Sequence, residues 1–266
     1  MEFSAVEIVW WHYLALFVTG IFVGINNVLA GGGSLISMPM LIFLGLDSAD
    51  ANGTNRLAIA IQNVFAVSGF KKKGIGNWRF GLQMTFPAIP GAVLGVFTAV
   101  TISDMWFRRV LSMVMVLVLV LILARRSGHG SDKITPATLT PRQKYGAMLA
   151  FAGIGFYVGF IQAGVGFIII GTLAWITGMD LVQINAYKVF IIGVLTWIAV
   201  VLFAISGHIV LSLGLVLAAG NGIGGWLGSS VAVKGGEIWI KRILVVAVLV
   251  MALKLSGIVE VIIDLI

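Results

Sequence analysis

Two short polar clusters in a greasy chain carry the side chains best suited to binding chemistry. The first is Asn52-Gly53-Thr54-Asn55-Arg56 and the second is Asn185-Ala186-Tyr187-Lys188. Each opens a long apolar segment. Asn, Thr and Tyr supply hydrogen-bond donors for an oxyanion, and Arg56 or Lys188 supplies the counter-charge. A cation inside lipid costs ~2.5–3.5 kcal/mol on insertion scales, so it must face protein or water. Two readings stand for these cations: they bind an anionic ligand, or they snorkel to the headgroups as end-of-helix anchors.

Just upstream of each cluster the apolar pattern is interrupted by small residues, Gly31-Gly32-Gly33-Ser34 in one place and Ala163-Gly164-Val165-Gly166 in the other. Each Gly costs a helix about 1 kcal/mol against Ala. A broken helix in lipid also frees backbone groups that need partners. Such breaks suit a buried site where N–H groups at the start of a half-helix cradle an anion. The alternative is close helix packing. Gly31 to Ser37 lacks the Gly-Lys-Ser/Thr ending of a nucleotide loop. Asn26, Asn27 and Gln162 precede the breaks, where their amides either satisfy freed backbone groups or touch ligand. Gly220, Gly224 and Gly228 recur at helical spacing, as on a packing face. Asp47, Asp50 and Asp180 stand where helix N-caps are expected.

The elements that must position these groups are membrane helices. The chain has 266 residues, 60% of them hydrophobic and 10% charged, with a mean hydropathy of +1.10. Soluble domains carry about 25% charged residues, and no soluble fold of this length hides so much apolar surface. The unbroken greasy runs fit helices rather than the alternating strands of an outer-membrane barrel. With no cysteine and three dispersed histidines, no metal site and no cofactor are expected. No catalytic residues are assigned: clustered histidines and paired buried carboxylates, which an enzyme would need, are missing. The net charge of +7 is dispersed, which fits basic cytoplasmic loops and not nucleic acid.

Segment by segment, Val9–Ala30 reads as a first span. Leu35–Leu46 is too short to cross, and Ala51–Phe70 is long enough. The basic Lys71–Arg79 loop follows, then spans at Phe80–Val100 and Val110–Ala124. Residues 125–144 form a hydrophilic linker. The second half, residues 145–266, then repeats the first, residues 1–124, with Gly20 to Leu111 matching at one fixed offset without a gap. Gly31 falls on Gly164, Gly33 on Gly166, Asp47 on Asp180, Asn52 on Asn185, Gly91 on Gly224 and Arg109 on Arg242. This is an internal repeat of the transporter kind. Counting the short segment as a pass gives five passes per half. The second copy is then inverted, and the basic loops share one face as the positive-inside rule requires.

Ala30-Gly31-Gly32-Gly33-Ser34-Leu35-Ile36-Ser37-Met38-Pro39-Met40-Leu41, followed by Gly45, Ala51, Gly53-Thr54 and Asn55, resembles the sulfite exporter TauE/SafE family over nearly the whole chain. In the second copy Thr172 replaces Pro39 and Val165 replaces Gly32. The resemblance implies a secondary permease for small, commonly sulfur-containing anions such as sulfite or organosulfonates.

The expected protein is therefore an all-α polytopic membrane protein, multi-pass in the inner (plasma) membrane. It has two inverted repeats with broken or re-entrant short helices and about 8–10 membrane segments. Its ligand is held by Asn26, Asn27, Gly31, Gly32, Gly33, Ser34, Asn52, Thr54, Asn55, Arg56, Gln162, Gly164, Gly166, Asn185, Tyr187 and Lys188. Its partners are a small sulfur-containing anion and the lipid bilayer, with a homo-oligomer left open. A passive anion channel, or a membrane-embedded enzyme or assembly factor, is the alternative.

Overall fold

The computed structural model describes residues 8–76, 78–124, 140–234 and 249. The expectations placed on residues 125–139 and on Arg242 lie outside the described residues. The regular elements are all helical: α1 (Trp10–Leu29), α2 (Ser34–Phe43), α3 (Ser48–Lys72), α4 (Trp78–Thr85), a 3-10 turn (Phe86–Ala88), α5 (Ile89–Thr101), α6 (Asp104–Ala124), α7 (Pro141–Phe160), α8 (Val165–Thr177), α9 (Leu181–Ile205) and α10 (Leu211–Lys234). Pro141 sits at the first position of α7, where a missing N–H costs nothing. Pro87 and Pro90 mark the join between α4 and α5, which together form one bent apolar stretch from Trp78 to Thr101. By length and composition, that stretch, Trp10–Leu29, Leu181–Ile205 and Leu211–Val233 can each cross a membrane.

Close glycine contacts fix the directions of the helices. A Cβ on Gly20 would meet Leu217 and Asn221, one on Gly24 would meet Gly224, and one on Gly228 would meet Val28. Helices α1 and α10 are therefore parallel. Gly91 lies against Ala152 and Gly95 against Phe156 and Phe160, so α5 and α7 are parallel too. Thr54 lies by Gly214, Gln62 by Gly225 and Gly69 by Ser229, which makes α3 and α10 parallel. A turn through Gly207 (φ +78) reverses the chain between α9 and α10, leaving α9 antiparallel to α3. Small residues let these backbones touch, and van der Waals contact is what holds helices together where lipid gives no hydrophobic drive. The glycine face expected at 220, 224 and 228 packs on α1 in this way.

α1, α3 and α10 start at one end of the bundle, where Ser48 N donates to Asp104 Oδ1 (2.7 Å) at the head of α6. α2 hands over to α3 at that same end, so α1 and α2 form a hairpin, and Gly33 lies back beside the Val23 carbonyl. The expected first span at Val9–Ala30 is helical from Trp10 to Leu29 and is long and apolar enough to cross a membrane. α3, α4–α5 and α6 then alternate in direction, so α6 ends at the end of the bundle opposite the start of α1. From that opposite end, α7 and α8 form the corresponding hairpin, and α8 hands over to α9. Lys71, Lys72, Lys73 and Lys234 share this end, whereas Asp47, Asp50 and Asp104 lie at the other with Arg108.

The two hairpin tips meet. A Cβ on Gly31 (φ +80) would sit 2.2 Å from Gly166 Cα, and a Cβ on Gly166 would sit 2.2 Å from Gly31 Cα. Gly166 has no positive φ, so an added methyl there tests space alone. Gly166→Ala should lower stability by about 1–3 kcal/mol or more through overpacking, read as a fall in thermal midpoint in detergent. Gly146→Ala, with nothing within 4 Å of its Cβ, should leave the midpoint unchanged. Equal midpoints for both variants would refute the contact.

Candidate functional site

Helix α7 stops inside the protein, and the carbonyls of its last turn need donors. Tyr157 O accepts from Ile161 N and Gln162 N. Arg56, reaching over from α3, takes the next two: Nη1 donates to Val158 O and Nη2 to Gly159 O (2.8 Å). Asn52 Nδ2 takes Phe160 O (2.8 Å). Asn52 Oδ1 in turn accepts from Arg56 Nε (3.0 Å), and Arg56 lies over the Phe203 ring at 5.7 Å. The guanidinium is fully buried. The snorkelling reading is therefore overturned for Arg56, which caps the negative end of a helix dipole.

Lys188 does the converse job. From α9 its Nζ donates to Val28 O (2.7 Å) near the end of α1, and to Asn185 Oδ1 (2.8 Å). It too is fully buried, so it is not a headgroup anchor. The sequence pairs Asn52 with Asn185, and in the structure each amide oxygen steadies the cation beside it. Asp180 caps α9 as expected, accepting from Val182 N and Gln183 N. Asp50 instead meets His208 Nδ1 at 2.7 Å.

The breaks are held by side chains. Gly33 N donates to Asn27 Oδ1 (2.7 Å), and Asn27 Nδ2 donates to Gln62 Oε1 (2.9 Å). At the second break Gln162 adopts φ 57, a left-handed conformation uncommon for a residue with a Cβ. Its Oε1 accepts from Arg56 Nη1 (2.5 Å), and its Nε2 donates to Thr196 Oγ1 (3.1 Å). Tyr157 OH donates to Ala163 O (2.5 Å), and Gly164 at φ +72 opens α8.

A small cavity lies where the hairpins meet α3 and α9. It has room for about one water molecule, so a polyatomic anion requires its walls to part. Of the residues singled out from sequence, Asn27, Gly31, Ser34, Gln162 and Lys188 line it. Gly166 is at the hairpin contact. Gly32 O accepts from Leu35 N, and Asn26 O accepts from Ala30 N and Gly31 N. Asn52, Arg56 and Asn185 lie behind the cavity wall. Asn55 Oδ1 accepts from Ser37 Oγ, Thr54 Oγ1 accepts from Val210 N, and Tyr187 packs edge-on against Phe80. Two polar lining residues were missed, Gln62 and Asn63. Adjacent amides in the middle of an otherwise apolar stretch were the signal, since buried polar groups need a reason to be there.

The buried charged side chains among the described residues are Arg56 and Lys188, with no buried carboxylate. Two hairpins that meet beside an inner cavity, in an all-helical bundle with apolar helices long enough to cross lipid, fit an integral membrane transporter. The family comparison agrees. The family model for "Sulfite exporter TauE/SafE" matches residues 16–255, and the chain belongs to this family. It is 25% identical over 248 residues to "Probable membrane transporter protein ORF9" of Sinorhizobium sp, covering 92% of each chain. It is 24% identical to "Probable membrane transporter protein YfcA" of Escherichia coli (strain K12), covering 90% of this chain and 88% of that one. A "Probable membrane transporter protein" of Haemophilus influenzae is 26% identical over 90% and 92%.

Removing Arg56 strands carbonyls at the end of α7, and each lost bond to a charged group is worth ~1.5–3 kcal/mol. Arg56→Gln should therefore lower the stability of the purified protein by about 3 kcal/mol or more. Arg56→Lys should recover only part of it, because an ammonium lacks the planar fork. A thermal midpoint equal to wild type for Arg56→Gln would refute the capping role.

Proposed function

We propose that the protein is a multi-pass secondary transporter of small anions in the inner (plasma) membrane, with its basic end in the cytoplasm. The observation that carries this reading is the pair of buried cations, Arg56 and Lys188, beside a cavity between two broken helices. A buried positive charge favours a nearby mobile counter-ion. Backbone N–H groups at the starts of α2 and α8 add partial positive charge. The substrates are small sulfur-containing anions, sulfite or organosulfonates, a class suggested by the family's name. Transport follows alternating access: two inverted repeats, residues 1–124 and 145–266, rock about the hairpin tips and part the narrow cavity toward each face in turn.

The test is reconstitution in liposomes with sulfite, sulfate, thiosulfate and methanesulfonate. Saturable counterflow of at least one anion is expected. Lys188→Gln should reduce that flux at least about tenfold, since a charge-assisted hydrogen bond of ~1.5–3 kcal/mol is lost. Ohmic current without saturation would make the protein a channel. No flux, together with no protection of the protein from heat by any of the four anions, would refute the anion reading.

A further inference from the structure

Most of the amide and amine groups around the cavity already have protein partners. Asn27 is held by Gly33 and Gln62, Gln162 by Arg56 and Thr196, and Lys188 by Val28 and Asn185. Asn63 differs. It lies in the middle of α3, is 3% exposed, and lines the cavity. Its Nδ2 has no hydrogen-bond acceptor. Other buried amide and hydroxyl atoms without partners belong to Asn26, Ser48, Asn55 and Asn221, none of which lines the cavity. Buried donors are almost always paired, so an unpaired donor on a residue that lines the cavity points to a partner from outside the chain.

The packing around Asn63 supports a placed side chain. The helix opposite carries Gly193, where an added Cβ would stand 3.1 Å from Asn63 Cβ. A larger residue there would crowd the amide. The aligned position in the second half is Thr196, and its hydroxyl is already occupied by Gln162. The open donor is therefore found in one half only.

Resting on the anion reading above, we infer that Asn63 is the specificity-determining donor of the site. Its Nδ2–H binds an oxygen of the anion, Lys188 supplies the counter-charge, and the two halves contribute unequally to recognition. The glycine turns shape the cavity, and the amide on α3 reads the ligand. An anion with acceptor oxygens satisfies Nδ2, whereas a metal cation would be repelled by the neighbouring ammonium.

The experiment compares wild type, Asn63→Ala and Asn63→Asp in liposomes, using sulfite, sulfate, thiosulfate and methanesulfonate. Thermal midpoints are measured with and without each anion. The expected result is a KM about 10- to 100-fold higher for Asn63→Ala, with kcat changed less. Asn63→Asp, which places an acceptor and a negative charge in the same volume, should abolish both flux and heat protection. The anion-free midpoints of both variants should stay within a few degrees of wild type. Unchanged KM and heat protection in Asn63→Ala would overturn the role of Asn63 and leave the anion reading standing, as would anion-free midpoints that fall along with flux. Wild type that neither moves nor is protected by any of the four anions would overturn both.

Discussion

The fold depends on one exchange: each broken helix is capped by a cation from the other half of the chain. Arg56 on α3 holds the end of α7, and Lys188 on α9 holds the end of α1. A helix that stops inside a bilayer leaves carbonyls that lipid cannot satisfy. A charged side chain buried beside them is equally untenable by itself. Each solves the other's difficulty, because the carbonyl end of a helix carries about half a negative charge. In both contacts the acceptors are backbone carbonyls.

The glycine contacts make the exchange geometrically reachable. Gly31 against Gly166, Gly20 and Gly24 against α10, and Gly91 and Gly95 against α7 bring backbones together where any side chain would hold them apart. α1 from the first half packs on α10 from the second, and α5 packs on α7, so the halves are interleaved rather than stacked. The same proximity allows Arg56 to reach two carbonyls and Gln162 with one planar group. Gln162 extends that reach by linking the guanidinium to Thr196 on α9.

Much of this was legible in the residue order. Three consecutive glycines inside an apolar run announced a break. The constant offset to Gly164 and Gly166 announced a second. The return of α2 beside α1 was not legible, since hydropathy records length without direction. The partners of Arg56 were hidden for another reason: they are backbone carbonyls, which have no letter in the sequence. Asn52, Thr54, Asn55 and Tyr187 had the right chemistry for a ligand, yet neighbouring protein groups use it. Gln62 and Asn63 line the cavity from mid-helix, where no turn or motif draws attention to them.

The cross-capping also has a temporal side. Arg56 and Val158 are separated by 102 positions. At about 5–20 residues per second, the guanidinium leaves the ribosome roughly 5–20 s before the carbonyls it will bind. Lys188 meets the opposite situation, since Val28, 160 positions earlier, is already made. A nascent first half therefore carries an uncapped helix end and an unspent charge while the second half is still being translated. Biogenesis has to shelter both, in the insertion machinery or at the lipid boundary, until α7 and α9 arrive and close the bundle.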